Sequence, residues 1–438
     1  MNFNLSIFKN SKTNSMDIHK VNYKNLIILG IMLYFIGNFI LKLLGLSSTI
    51  FYGFSNMLFE LIIVLYGLFL YRGNPIKRQV LYVILGIFCV QMISYQYSNI
   101  VFDFRCIDSH RLLLFAGMIV VTYFIAREAI IPKKDFEFIL NLLIGLGFFA
   151  IIYNIILNWN VFSTLNLRHI LYNSHHFKSI FNARAPFAML LCICSVILIY
   201  KYKSERKITT LLLFIFFAVN LIIVNSRTFI LPFLIIFLLE IFNFLRKYKI
   251  KEPKKFKYLI IILLVAFVLL FVIFYDYIDT IVFHNGSIFN GRDTLIKDVF
   301  SGVDFISFFI GHGIGSCDAY LSNINSPFAS PHNYWITLFF EGGIIFVILY
   351  FSFFISLFYR IRSIIDENIR FLFYSFTIIT IISGLFEAIA SPFLADTSSI
   401  LGTLITFTLP LSLINGLDKD EMKYSNNGEN DEKKINNL

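Results

Sequence analysis

At 438 residues, 58% hydrophobic and only 15% charged, the chain is too apolar for a soluble globular protein, in which about a quarter of residues carry charge. Apolar runs of about twenty residues recur along it, a pattern that a transmembrane barrel of short alternating strands does not produce. The formal charge of +10 is then no sign of a nucleic-acid partner, and what matters is where the charges lie.

Residues 1–24 are polar and basic and precede an apolar run too long for the core of a signal peptide, with no small-residue cleavage site. They read as a cytoplasmic segment before an uncleaved anchor. A membrane domain is expected over 25–415, with candidate spans near 25–44, 50–70, 79–98, 111–126, 136–158, 185–200, 208–224, 228–245, 258–275, 333–358, 370–387 and 398–415. The expected fold class is therefore all-α: a polytopic integral membrane protein of about 12 transmembrane helices, with a large late external loop at 276–332. Residues 416–438, rich in Asn, Asp, Glu and Lys, read as a disordered cytoplasmic tail.

Charge sets the orientation. With the N-terminus inside, 28 of the 37 Lys and Arg fall on inward segments, seven of them in 246–257 alone. This bias follows the positive-inside rule at every inward loop and puts both termini in the cytoplasm.

Polar residues then face outward at 99–110, at 159–184, at Asn225-Ser226-Arg227, at 276–332 and from Glu387 to Thr397. The large loop is longer than a mere connection needs, which favours function. In it, Asn290-Gly291 signals a turn, and the segment after Arg292 reads as a short surface helix with Leu295, Ile296, Val299 and Phe300 on one face. Arg292 at its start suits an anion or a snorkelling role equally. Gly311-His312-Gly313-Ile314-Gly315 has no preceding strand, so it is no dinucleotide fingerprint. It is either a tight bend or a loop whose amides approach a phosphate.

Ser330-Pro331 reads as the cap and first turn of the tenth span. His332 then lies near the positive pole of a helix, a field that keeps its ring neutral and able to accept a proton. An isolated interfacial histidine is more often only hydrated, so residue type alone does not establish the role of a base. Tyr334 and Trp335 read as interface anchors. Glu341, ahead of Gly342-Gly343, is a carboxylate inside the membrane region, and such residues tend to be functional. Arg184 and Arg227 open outward helix starts, so with Arg292 three arginines are available to clamp a pyrophosphate. Glu60, within a span, has no evident partner.

Cys89, Cys106, Cys192, Cys194 and Cys317 show no metal-ligand spacing. Cys192 and Cys194 read as packing residues, and an outer pairing of Cys106 with Cys317 stays open. No Asp-x-Asp lies on the outer side, and no His-Glu-x-x-His, Cys-x-x-Cys or nucleophile elbow occurs. Neither a metal or cofactor site nor a covalent hydrolase is expected.

Four features resemble one family in order and sidedness. They are Ser226-Arg227-Thr228 opening a span, Gly291-Arg292 before an amphipathic turn, Gly311-His312-Gly313 with Gly315, and His332-Asn333 leading to Glu341-Gly342-Gly343. The chain resembles the O-antigen ligases and the O-antigen or capsular polysaccharide polymerases, polytopic bacterial glycosyltransferases of GT-C-like architecture. The resemblance implies a metal-independent, inverting glycosyl transfer at the outer face of the inner (plasma) membrane, from a glycan on undecaprenyl pyrophosphate. It implies His332 as the base or as the residue that orients the acceptor hydroxyl. Arg227, Arg292 and Arg184 would hold the pyrophosphate, and His312, Asn333 and Glu341 would complete the substrate site. It also implies the bilayer and a chain-length regulator as partners. Phe346 stands where the ligase pattern has a small residue, which points to a polymerase joining lipid-linked repeat units rather than a ligase acting on lipid A-core. A flippase for the same glycan is the alternative of another class. It fits the span count, but polar groups at mid-membrane and internal repeats, as transporters show, are not evident. No span shows the polar stripe of a channel.

Overall fold

A computed structural model describes residues 24–44, 78–102, 130–181, 183–247, 292–324, 326, 333–387 and 409–416. Among them every regular element is helical: α1 (Lys24–Leu44), α2 (Arg78–Phe102), α3 (Lys133–Leu157), α4 (Trp159–Phe162), α5 (Leu167–Tyr172), α6 (Arg184–Glu205), α7 (Ile208–Val224), α8 (Arg227–Lys247), α9 (Arg292–Ser301), α10 (Phe305–Ile310), α11 (Ser316–Asn323), α12 (Tyr334–Arg362) and α13 (Glu367–Ser383). Eight of the expected spans coincide with α1, α2, α3, α6, α7, α8, α12 and α13. Those near 50–70, 111–126 and 258–275 lie outside the described residues, as do Glu60 and Cys106, and of 398–415 only the helical end from 409 is described. Among the described helices, α3, α6 and α12 are long and apolar enough to cross a membrane, and α1 and α7 carry shorter apolar stretches. The chain is a helical membrane protein.

The centre of the bundle is α6. Of its most apolar window, 89% is buried, as befits a helix that is hydrophobic all round. It packs against α3, α7, α8 and α13. Close approach needs small residues: a β-carbon at Gly147 of α3 would lie 2.8 Å from Phe217 and 2.9 Å from Cys194 Sγ. Cys192 and Cys194 are buried free thiols, as their apolar run suggested, and Cys317 is likewise buried. Buried hydroxyls in the core turn back on their own helices. Ser195, Thr377 and Thr380 donate to the carbonyls of Leu191, Phe373 and Phe376 at 2.7, 2.9 and 3.0 Å, so these three donors are not stranded among apolar neighbours.

The two ends of the bundle differ in kind. One is tied by charge: Lys24 pairs with Asp135 at 2.8 Å, Lys133 with Asp366 at 3.1 Å, Lys201 with Glu137 at 2.8 Å and Lys203 with Glu240 at 2.8 Å. Each pair joins two different helices or a helix to the cap of another. Arg360 donates to Asn415 Oδ1 at 2.8 Å, and Ile131 N to Ser412 O at 3.1 Å, which ties in the last described helical segment. Partly exposed pairs each add about 0–1 kcal/mol, so they fix register more than stability. All these residues fall on segments that the charge bias assigns to one side. The other end collects the polar turns assigned to the opposite side.

α12 is not straight. Gly343 takes φ 65° and ψ −173° within it, and a β-carbon there would sit 2.3 Å from Phe309 O. Both the left-handed φ and the contact require glycine. Gly343→Ala is expected to cost on the order of 3 kcal/mol, seen as a lowered melting temperature or loss of the monodisperse fraction in detergent. Gly86→Ala is the control: no atom lies within 4 Å of a β-carbon at that helical position, and alanine there should stabilise by up to about 1 kcal/mol.

Candidate functional site

At the end of the bundle away from the charge pairs, the starts of two helices, α6 and α12, lie by the C-terminus of α13. Asn225 takes a left-handed φ of 54°, ends α7 and turns the chain through buried Ser226 into Arg227, the first residue of α8. α8 packs on both α6 and α13. α6 opens at Arg184, a partly buried side chain within electrostatic reach of Glu387, which follows α13. α12 opens beside the same end: Tyr334 N donates to Gly384 O at 2.9 Å, Asn333 Nδ2 to Leu385 O at 2.8 Å and Trp335 Nε1 to Ile381 O at 3.2 Å. The starts of α6 and α12 thus lie beside the same end of α13, each with amides that lack intrahelical acceptors and a positive dipole end.

The start of α12 differs from the sequence expectation. Its cap is Asn333, whose Oδ1 accepts from Ile336 N at 3.1 Å, and not Ser330. Both functions of the Asn333 amide are thereby engaged in holding the helix start. Its contribution to a site is to fix the chain beside His332. Ser330, Pro331 and His332 lie outside the described residues. Arg292 opens α9 as expected, but its side chain also lies outside them. α9 buries a narrower face than the pattern suggested. Leu295 and Val299 pack with Cys317, Tyr320, Leu321 and Phe340, while Ile296 and Phe300 remain exposed.

The glycine-rich segment is a tight bend wedged between α2 and α12. Gly311, Gly313 and Gly315 have φ of 71°, 96° and 87°. A β-carbon at Gly311 would lie 2.4 Å from the Glu341 carbonyl, and one at Gly313 2.6 Å from the Tyr95 ring. His312 N donates to Phe340 O at 2.9 Å, Gly313 N to Glu341 O at 2.8 Å and Ile314 N to Gln91 Oε1 at 2.9 Å. Three amides that a phosphate cradle would need are therefore taken by protein. The kink at Gly343 explains why α12 offers acceptors here: where its backbone leaves helical geometry, the carbonyls one turn earlier lose their own amides.

His312 was expected to bind substrate. It has no exposed surface. Nε2 lies 3.0 Å from Gly302 O and Nδ1 3.0 Å from Ser98 Oγ, which itself donates to His312 O at 2.7 Å. A carbonyl can only accept, so Nε2 carries the proton. The ring packs 4.6 Å from Phe340 and stacks at 6.2 Å on Tyr97. Burial pushes its pKa below the ordinary histidine value, against smaller opposing effects of Gly302 and Asp304. Its position makes it a post between the loop and α2 rather than a substrate contact. Glu341 is buried two turns into α12, its carboxylate within electrostatic reach of Tyr334.

The sequence reading passed over α2. Gln91, Ser94, Tyr95 and Ser98 stand at i, i+3, i+4 and i+7, one face of a helix, and all four are fully buried. This is a polar stripe within a span, contrary to the expectation that none exists, and its spacing was the available signal. It lines no pore: Ser94 donates to Ile310 O at 2.7 Å and Tyr95 to Ile314 O at 2.6 Å. Tyr97 adds a bond to Asp304, which caps α10 in a reciprocal pair with Ser307 at 2.8 Å each way. Among the described residues no three His, Cys, Asp or Glu side chains converge as metal ligands.

The buried imidazole has a consequence for stability. Because the folded pKa of His312 lies below the ordinary value of 6.5, the unfolded chain takes up a proton first as pH falls. The stability it contributes is full above about pH 6.5 and drops as pH falls from there toward the folded value. Melting temperatures of the purified protein between pH 8 and 5 should show this loss. His312→Gln should flatten it while lowering stability throughout by about 1–3 kcal/mol, the cost of unsatisfied buried groups.

Residues 211–351 match the family model described as O-antigen ligase. The match runs from α7 into α12 and contains Arg227, Arg292, His312, His332, Asn333 and Glu341, but not Arg184. No curated protein matches the chain. Over that segment the match supports the resemblance to the O-antigen ligase/polymerase family.

Proposed function

We propose that the protein is a polysaccharide polymerase that moves a glycan from undecaprenyl pyrophosphate onto a lipid-linked repeat unit, at the outer face of the inner membrane and without a metal ion. The observation that carries this reading is the placement of two helix starts beside the C-terminus of α13, one bearing Arg184 within electrostatic reach of Glu387 and the other following directly on His332. Aligned helix N-termini and guanidinium groups favour a dianionic leaving group. In this mechanism the acceptor hydroxyl gives its proton to neutral His332 as its oxygen attacks the anomeric carbon from the face opposite the leaving group. The bond from that carbon to the pyrophosphate breaks with inversion. Arg227, Arg292 and Arg184 meet the charge that develops on the pyrophosphate, where preorganised electrostatics have most effect. Glu387, near Arg184, keeps that guanidinium oriented before the donor enters. Asn333, tied to Leu385, fixes the start of α12 directly after His332 in sequence, and Glu341 lies buried beside the kink.

The ligase reading, with lipid A-core as acceptor, has the family model's own description in its favour. The flippase reading is weakened by the other end of the bundle. There, cross-helix ion pairs join α1 to α3, α3 to α6 and α6 to α8, and alternating access would have to break several of them.

A glycolipid gel separates these readings. A strain lacking the gene should show lipid A-core with a single repeat unit, and wild type should restore the ladder. Bare core with accumulating lipid-linked polymer would establish a ligase, and repeat units retained on the cytoplasmic side a flippase. His332→Ala should leave the null pattern at normal protein levels. Arg227→Lys, which keeps the charge but loses the two-pronged grip, should restore only short chains. Wild-type behaviour of His332→Ala would remove the base from this mechanism.

A further inference from the structure

The depth of α10 is unusual for a segment of an external loop. Its last carbonyl, Ile310 O, accepts from Ser94, eight residues before the end of α2. Its C-terminal turn also lies against Gly343, nine residues into α12. At 1.5 Å per residue these points lie about 12 and 13 Å below the helix ends. α12 has 29 residues, about 43 Å of helix, against a hydrocarbon core of about 30 Å. Even with about 6 Å of α12 standing clear of the core at each end, the turn after α10 lies some way inside the hydrocarbon.

Non-helical backbone survives at that depth only if protein satisfies it. The bend at 311–315 meets this condition: its amides go to Phe340, Glu341 and Gln91, and the carbonyls of His312 and Ile314 accept from Ser98 and Tyr95. The entrance is marked by polar groups, with Asp304 bonded to Tyr97. Between entrance and bend, α10 reads Phe-Ile-Ser-Phe-Phe-Ile. Ser307 is buried against its cap, while Phe305 is 80% exposed and Ile306, Phe308 and Phe309 are also exposed. Met92 and Ile93 of α2 and Ile345, Ile348 and Leu349 of α12, helices that pack against α10, are exposed as well.

We propose that residues 302–315 form a re-entrant hairpin within one leaflet, and that Phe305, Ile306, Phe308 and Phe309 present a surface that binds the hydrocarbon chains of the bilayer lipids. The occupant follows from continuity: α12 is a membrane span, and the exposed face of α10 extends its lipid-facing side at the same depth. The inference rests on the membrane character of the chain and is independent of the glycan-transfer mechanism.

Nitroxide accessibility tests it on the full-length protein in vesicles of phosphatidylethanolamine and phosphatidylglycerol. Cys89 and Cys106 are first replaced by Ser, and spin label is attached at Phe308→Cys and, separately, at the more exposed Phe305→Cys. Ser163→Cys, in the turn after α4, gives the aqueous reference. At 305 and 308, collisions with oxygen should exceed those with a water-soluble nickel chelate several-fold, and at 163 the order should reverse. Dominance of the nickel chelate at 305 and 308 would place α10 in water and overturn the proposal. Poor access of both reagents at both positions would mean that protein covers the face, and would overturn it equally.

Discussion

A bilayer offers no hydrogen bonds to a peptide group, and the structure around His312 is organised by that constraint. The chain enters between two spans as a short helix and leaves through a bend of positive-φ glycines, so several backbone groups need partners. Two sources supply them. The kink at Gly343 withdraws α12 from its own pattern and exposes the carbonyls of Phe340 and Glu341, and the polar face of α2 offers Gln91, Ser94, Tyr95 and Ser98. Neither the kink nor the stripe makes sense alone. A kinked helix without the loop would bury bare carbonyls, and a polar stripe without the loop would face hydrocarbon, each at a cost of several kcal/mol per unsatisfied group.

The two ends of the bundle use different bonds because they have different tasks. Long lysines reaching short carboxylates, as in Lys201–Glu137 and Lys203–Glu240, hold helices in register without demanding close fit. The other end uses short backbone contacts, Tyr334 N to Gly384 O and Asn333 to Leu385 O, which fix helix starts to within a bond length. Precision is thus concentrated where the positive ends of α6 and α12 lie beside the end of α13. A site that stabilises charge by preorganisation needs its dipoles fixed before the substrate arrives.

Hydropathy made the frame legible. α7 begins and ends where its apolar run does, and α6, α8 and α13 depart from expectation by a few residues at their ends, as is usual for helix termini. The turn at Asn225 and the helix start at Arg227 were also readable, because asparagine tolerates a left-handed φ and marks a helix end. The site was less legible. Gly311 to Gly315 signalled a bend, but a string of glycines does not say whether its amides face an anion or a neighbouring carbonyl. The partners settle that: Phe340 and Glu341 follow later in α12, and Gln91 lies more than two hundred residues earlier in α2. Ser330 made a plausible cap, and Asn333 won because its side chain bonds both the helix and Leu385. The stripe in α2 went unread because hydropathy averages over a helix, and four polar residues on one face are diluted by apolar residues on the others.

The two histidines of the motif region illustrate how position separates roles that residue type leaves open. Each is a candidate for a neutral ring at physiological pH, but for different reasons. His312 is neutral because it is desolvated, and its protonated Nε2 is committed to Gly302 O. A proton acceptor so enclosed has no route to a substrate hydroxyl, so its contribution can only be to place the loop. His332 directly precedes the capping Asn333 at an end of the bundle where helix starts are gathered. In the proposed mechanism the positive field there, rather than burial, keeps its ring neutral. The arginines that favour the leaving pyrophosphate would depress the same pKa. One electrostatic arrangement would then both stabilise the departing charge and hold the base in the form that can take the proton.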